Sequence, residues 1–95
     1  MSATTKPKFE LGQLVATPGA REVLSRNGTD EHPFVQRHQS GDWGDVASAA
    51  AWENECAMKQ GQEILSAYTL VDGTRLWIIT EADRSATTIL LPEEY

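Results

Sequence analysis

An Asp-Gly pair, Asp72-Gly73, separates two runs rich in Ile, Leu, Tyr, Trp, Thr and Val: Glu63 to Val71 and Thr74 to Thr80. This is a strong hairpin signal, because the pair tolerates the positive backbone dihedrals of a tight turn. A third run, Ala86 to Leu91, follows the polar stretch Glu81 to Ser85 and extends the hairpin into an antiparallel meander. A two-residue turn sets Val71 opposite Thr74, and so predicts Tyr68 facing Trp77 and Ala67 facing Ile78. Both faces of the sheet are then largely apolar. Helices cover one, and the other is left for a partner chain or a ligand.

The preceding residues read as one short strand and three helices. Phe9 to Ala16 is the strand. Thr17-Pro18 opens a helix, with Thr17 as cap and Pro18 at a position where its missing N–H costs nothing. Asn27-Gly28 closes it. Thr29 is placed to cap a second helix, on which Phe34, Val35 and His38 share a face. Ser40-Gly41 breaks that helix, and Gly41 to Asp45 forms a loop. An Ala-rich helix then runs from about Asp45 to Lys59 or Gln60 and stops at Gly61. Residues 1–8 read as a flexible polar leader, and 9–95 as a single α+β domain. The expected sheet is antiparallel, built from the C-terminal meander plus the N-terminal strand and packed by two or three helices.

Composition narrows the chemistry. The chain has 95 residues, one cysteine and a formal net charge of −6. An acidic balance disfavours direct binding of nucleic acid, which needs the opposite sign, and suits a basic protein partner. Cys56 has no second cysteine to pair with, which fits a reducing cytoplasm. Its neighbours Glu53 and Glu55 work against a reactive thiolate. No apolar run is long enough to cross a membrane. With two histidines and one cysteine, no metal-ligand pattern appears. There is no Gly-rich phosphate loop and no nucleophile elbow, so no cofactor or metal is expected.

Three groups of residues carry functional potential. Arg37, His38, Asp42, Trp43 and Asp45 crowd one loop region. In a structural reading Trp43 plugs the core and Asp42 or Asp45 caps the third helix. In a functional reading His38 serves as an acid or base and the two carboxylates bind a ligand. Glu81, Asp83 and Arg84 project from the second hairpin turn, either as a solvated turn with a local Asp–Arg pair or as a binding turn on a rigid sheet. Asn54 is polar among small neighbours on the third helix, which suggests a bond to a nearby backbone segment, for instance near Gly41 to Gly44.

The segments Arg37 to Asp45, Ile64 to Tyr68, Leu76 to Ser85 and Leu90 to Tyr95 resemble a family of short bacterial proteins of uncharacterised function, often carried on plasmids and other mobile elements. The resemblance runs from Phe9 to the end of the chain. Some members carry the label of a type I restriction–modification subunit. This chain has no methyltransferase cofactor motif, and 95 residues cannot hold that domain plus DNA recognition. The resemblance implies a small factor that serves a mobile element, for instance by blocking a host defence system.

Three functional expectations follow. The first is a non-enzymatic protein that binds a macromolecular partner as an anti-defence or regulatory factor, with the two-sided apolar sheet able to support either a homodimer or a heterologous interface. The second is a ligand-binding protein in which Trp43 stacks a planar group and Arg37 or Arg84 holds an anion. The third is a minimal hydrolase using His38 with Asp42, Asp45 or Glu81.

Overall fold

The computed structural model describes residues 7–95. The predicted leader therefore lies, except for Pro7 and Lys8, outside the described residues. The elements run β1 (Gln13–Ala16), α1 (Pro18–Arg26), α2 (His32–Gln39), α3 (Ser48–Gln60), β2 (Ile64–Thr69), β3 (Arg75–Thr80) and β4 (Ala86–Leu90), with a final 3-10 turn at Pro92–Glu94. The fold is α+β, as composition and patterning predict. The strand order is β1-β4-β3-β2. β2, β3 and β4 form the expected antiparallel meander.

β1 departs from expectation twice. It is four residues long rather than the Phe9 to Ala16 predicted, and it runs parallel to β4. Phe9 and its neighbours are not ladder residues but a strap across the molecule. Lys8 N–H donates to the Gln39 carbonyl, and the Gln39 amide donates back to the Phe9 carbonyl.

The hairpin register also differs by one residue. Tyr68 lies opposite Leu76, and Ala67 opposite Trp77. The turn holds three residues, Val71 to Gly73, because Gly73 N–H bonds the Leu70 carbonyl and Leu70 N–H bonds the Thr74 carbonyl. Gly73 has φ +89°, so a type I turn is followed by a left-handed residue that absorbs the extra position. One step of register moves each β3 side chain relative to its partner. Tyr68 therefore packs on Phe34, and Trp77 lies on the opposite face against Tyr95.

α1 follows its sequence signals. Thr17 Oγ1 accepts from Ala20 N–H, and Pro18 occupies the first turn. α2 is not capped by Thr29; the Asp30 carboxylate instead accepts from His32 N–H. α3 starts at Ser48, three residues later than predicted, and neither Asp42 nor Asp45 caps it.

The helices pack on one face of the sheet. Ala20, Val23, Leu24 and Val35 form a cluster with Tyr68, Leu70, Leu76, Ile78 and Ile89. A second cluster joins Trp43, Ala57 and Ile64, with Phe9, Val46, Ala51 and Met58 packed against it. The sheet residues in both clusters belong to the same face by strand alternation.

Candidate functional site

His38 stands at the centre of the polar interior, fully buried on the inner side of α2. Its Nδ1 lies 2.5 Å from Ser66 Oγ, and its Nε2 lies 2.8 Å from Thr80 Oγ1. Thr80 in turn meets Thr87 Oγ1 at 2.8 Å, and Thr87 donates to the Leu11 carbonyl at 2.7 Å. Counting donors orients the whole chain. A carbonyl only accepts, so the single Thr87 proton goes to Leu11 and Thr87 accepts from Thr80. Thr80 then accepts from His38 Nε2–H, which leaves Nδ1 bare to accept the Ser66 proton. The imidazole is thus a neutral Nε2–H tautomer wired between β2, β3, β4 and the N-terminal strap. Burial, followed by the positive charge of Arg84, lowers its pKa to about 4.

The remaining candidates are bound into the scaffold in different ways. Arg37 grips Asp42 with two hydrogen bonds, at 2.7 and 3.3 Å, and lies over the Tyr68 ring at 4.6 Å. The guanidinium holds the Asp42 carboxyl below its ordinary pKa. Asp42 also accepts from Gly44 N–H through its side chain and from Tyr68 OH through its carbonyl. Burial pushes the Tyr68 phenol up to about 12. Trp43 is buried, with its indole N–H on Glu55, and its ring packs near Phe9 and His38. Asp45 accepts from the Thr69 hydroxyl.

Arg84 takes φ +62°, the one non-glycine positive φ among the described residues. From there its guanidinium donates to the carbonyls of Gln62, Glu81, Ala82 and Ala57. The Ala57 carbonyl, which also accepts from the Gly61 and Gln62 N–H groups, lies at the C-terminal end of α3, where a cation is favoured by the helix dipole. The expected Asp83–Arg84 pair does not form; Asp83 accepts from Ser85 N–H. Glu81 is exposed. Asn54 bonds a backbone as predicted, but at β2 rather than at the loop: its amide donates to the Leu65 carbonyl and accepts from Leu65 N–H.

The two polar loops do approach each other, and the strap fills the space between them. Phe9 meets the His38 ring edge-on at 5.2 Å, stacks near Trp43 at 6.2 Å and lies 5.8 Å from the Arg84 guanidinium carbon. Phe9 occupies the position that the ligand-binding reading assigned to a planar ligand. A hydrolytic centre built on His38 finds no carboxylate partner in this geometry; both ring nitrogens face hydroxyls. Among the described residues no group of three or more His, Cys, Asp or Glu side chains is placed to hold a metal ion. An open groove of about 450 Å³ beside Arg21, Leu24 and Asp30 contains none of the predicted site residues.

The feature with the clearest capacity for binding is the second face of the sheet. Alternation places Leu65, Trp77, Ile79, Thr88, Leu90 and Val15 there. Ala67, Ile79 and Leu90 are buried, yet none joins either helix-built cluster. On this face the Tyr95 ring meets Trp77 edge-on at 5.7 Å. Tyr95 is positioned by Glu94, which accepts from the Thr17 hydroxyl and from Leu91 N–H. Val15 remains 43% exposed and Tyr95 72% exposed. The candidate residues named from sequence omitted this face. Its signal was the apolar alternation of β3, which the one-residue register error distributed wrongly.

No protein-family model, curated protein or solved structure matches the chain. No helix among the described residues is long and apolar enough to cross a membrane.

Proposed function

We propose that this is a non-enzymatic protein-binding module that docks another protein surface on the second face of its sheet. The observation that supports this reading is the contrast between the two faces. Most of the polar groups that suggest chemistry are buried or bonded within the chain, whereas the second face of the sheet joins neither helix-built cluster and leaves Val15 and Tyr95 exposed beside the half-buried Trp77. A two-sided apolar sheet with helices on one face only favours association on the other. Aromatic anchors such as Trp77 and Tyr95 are the residue types that dominate interface energies. A regulatory role for a mobile element, including obstruction of a host defence factor, agrees with the resemblance described above and with the net charge of −6.

Site-specific photo-crosslinking in a bacterial host tests the reading. A photoreactive residue replaces the half-buried Thr88 on the second face, and a control replaces Val71, which is 97% exposed at the hairpin tip. The expected result is a defined protein adduct from position 88 and none from position 71. Absence of any adduct at position 88 refutes a docking role for this face.

A further inference from the structure

The two edges of the sheet are finished differently. At the β2 edge, Asn54 takes both backbone groups of Leu65, and Trp43 and Asp45 take those of Ala67. The β1 edge has no such cover. Gln13 and Thr17 donate their N–H groups to the Ser85 and Ile89 carbonyls. Alternation in the parallel ladder therefore turns the N–H and C=O groups of Leu14 and Ala16 outward, away from β4. The only side-chain hydrogen bond to this edge among the described residues runs from Arg21 Nε to the Ala16 carbonyl, at 3.3 Å. That carbonyl keeps a second lone pair. α1 leads away from the edge. Asn27, at its far end, accepts from Asp72 N–H in the β2–β3 hairpin at 3.0 Å. Leu14 and Val15, one on each face of the strand, are accordingly 47% and 43% exposed. Unpaired edges are ordinarily blunted by a charge or a proline, and Gln13–Ala16 holds neither.

We infer that β1 pairs edge to edge with β1 of a second copy, antiparallel, and joins two four-stranded sheets into one. The limits of the extended run set the register. Gly12 takes φ +64°, and an added Cβ there would stand 2.3 Å from the Ser85 backbone, so the chain turns away before Gln13. Thr17 is still extended, with φ −70° and ψ 157°, but Pro18 has no N–H and begins α1. Gln13 to Thr17 can therefore pair, and Val15 is their centre. A two-fold axis at Val15, perpendicular to the sheet, sets Leu14 of each copy opposite Ala16 of the other. Each of these pairs exchanges two backbone bonds, so every outward group of Leu14 and Ala16 finds a partner.

The side chains favour a second copy as the occupant. On the helix face the large Leu14 lies beside the small Ala16. On the second face Val15 meets Val15 at a closely spaced pair, about 4.5 Å between Cα atoms, where branched side chains pack well. The run Gln13 to Thr17 holds no charged residue, so self-pairing sets no like charges opposite each other. Five residues a side make less than the roughly 800 Å² per partner of a standard interface, which fits a reversible dimer. Pairing at the edge is independent of what docks on the second face.

Sedimentation equilibrium and amide hydrogen exchange on the full chain, from micromolar to millimolar concentration, test the inference. The wild type is expected to dimerise reversibly. Over the same range the Leu14 and Ala16 amides should slow at least tenfold in exchange, and the Val15 amide, which already faces β4, should change less. Val15→Lys and Val15→Glu should each abolish dimerisation, because two like charges then meet on the axis. An equimolar mixture of the two should restore it as a heterodimer, which also shows that both chains fold. The exchange measurement on the wild type needs no substitution and decides the matter even where a variant fails to fold. A wild type that stays monomeric throughout overturns the inference. A dimer whose Leu14 and Ala16 amides exchange as in the monomer overturns pairing at this edge. Folded variants that associate no better mixed than alone overturn the register centred on Val15.

Discussion

At the scale of single residues, His38 shows how a group that signals chemistry in the sequence becomes an internal linker. Its two nitrogens need one donor and one acceptor partner, and the hydroxyls of Ser66 and Thr80 provide them. The folded pKa of about 4 lies below the ordinary value of 6.5. The unfolded chain therefore binds the proton more readily than the folded one. The stabilisation is complete above pH 6.5 and is lost progressively as pH falls towards 4, by about 3 kcal/mol in all. Urea midpoints measured between pH 7 and 4 should fall along that interval, and a His38→Gln variant should lose the His38 contribution to the slope. ¹⁵N NMR of the ring should report protonated Nε2 and bare Nδ1 at pH 7. A protonated Nδ1 in the neutral ring would contradict the donor count.

At the scale of elements, the edge of β2 is closed by parts that are distant in sequence. In an edge strand, alternate backbone groups lack partners and invite pairing with another chain. Here Asn54 of α3 takes both groups of Leu65, while Trp43 and Asp45 take those of Ala67. Gly44 lies so close to this strand that an added Cβ would stand 2.0 Å from the Ala67 carbonyl, and its φ is +75°. Asn54→Leu should destabilise the fold by about 2–4 kcal/mol, since two backbone groups lose their bonds. Hydrogen exchange at Leu65 should accelerate in parallel. The hairpin is governed by Gly73, where an added Cβ meets no atom within 4 Å but φ is +89°. Gly73→Ala should therefore cost about 1–2 kcal/mol through backbone strain alone, read as a shift in thermal midpoint without loss of the β2–β3 register in NMR contacts.

At the scale of the whole molecule, Trp43, Phe9 and His38 connect the helix–sheet core with the cluster beneath α3. Trp43→Ala removes the largest member of the second cluster from a chain with only modest area to bury. A loss of about 3–5 kcal/mol is expected, which in a domain of this size approaches its entire stability. Chemical denaturation should show a broad or absent folded baseline. Thr88→Val, on the second face, should change stability by less than about 0.5 kcal/mol, so that position can be altered to test binding without unfolding the protein.

Short-range chemistry was sufficient for the α+β class, the three-stranded meander, the limits of α1 and the stop of α3 at Gly61. Each depends on propensities and turn residues that act over a few positions, such as Thr17-Pro18 and Asp72-Gly73. The parallel pairing of β1 with β4 depends on contacts more than 70 residues apart, and no local pattern encodes them. The register depended on whether the turn held two or three residues, a choice made by the packing of Tyr68 and Leu76 beneath the helices. The same packing placed Trp77 outside the core. The fates of His38, Arg84 and Asn54 were likewise decided in three dimensions, because a polar side chain becomes structural or available according to which distant groups meet it.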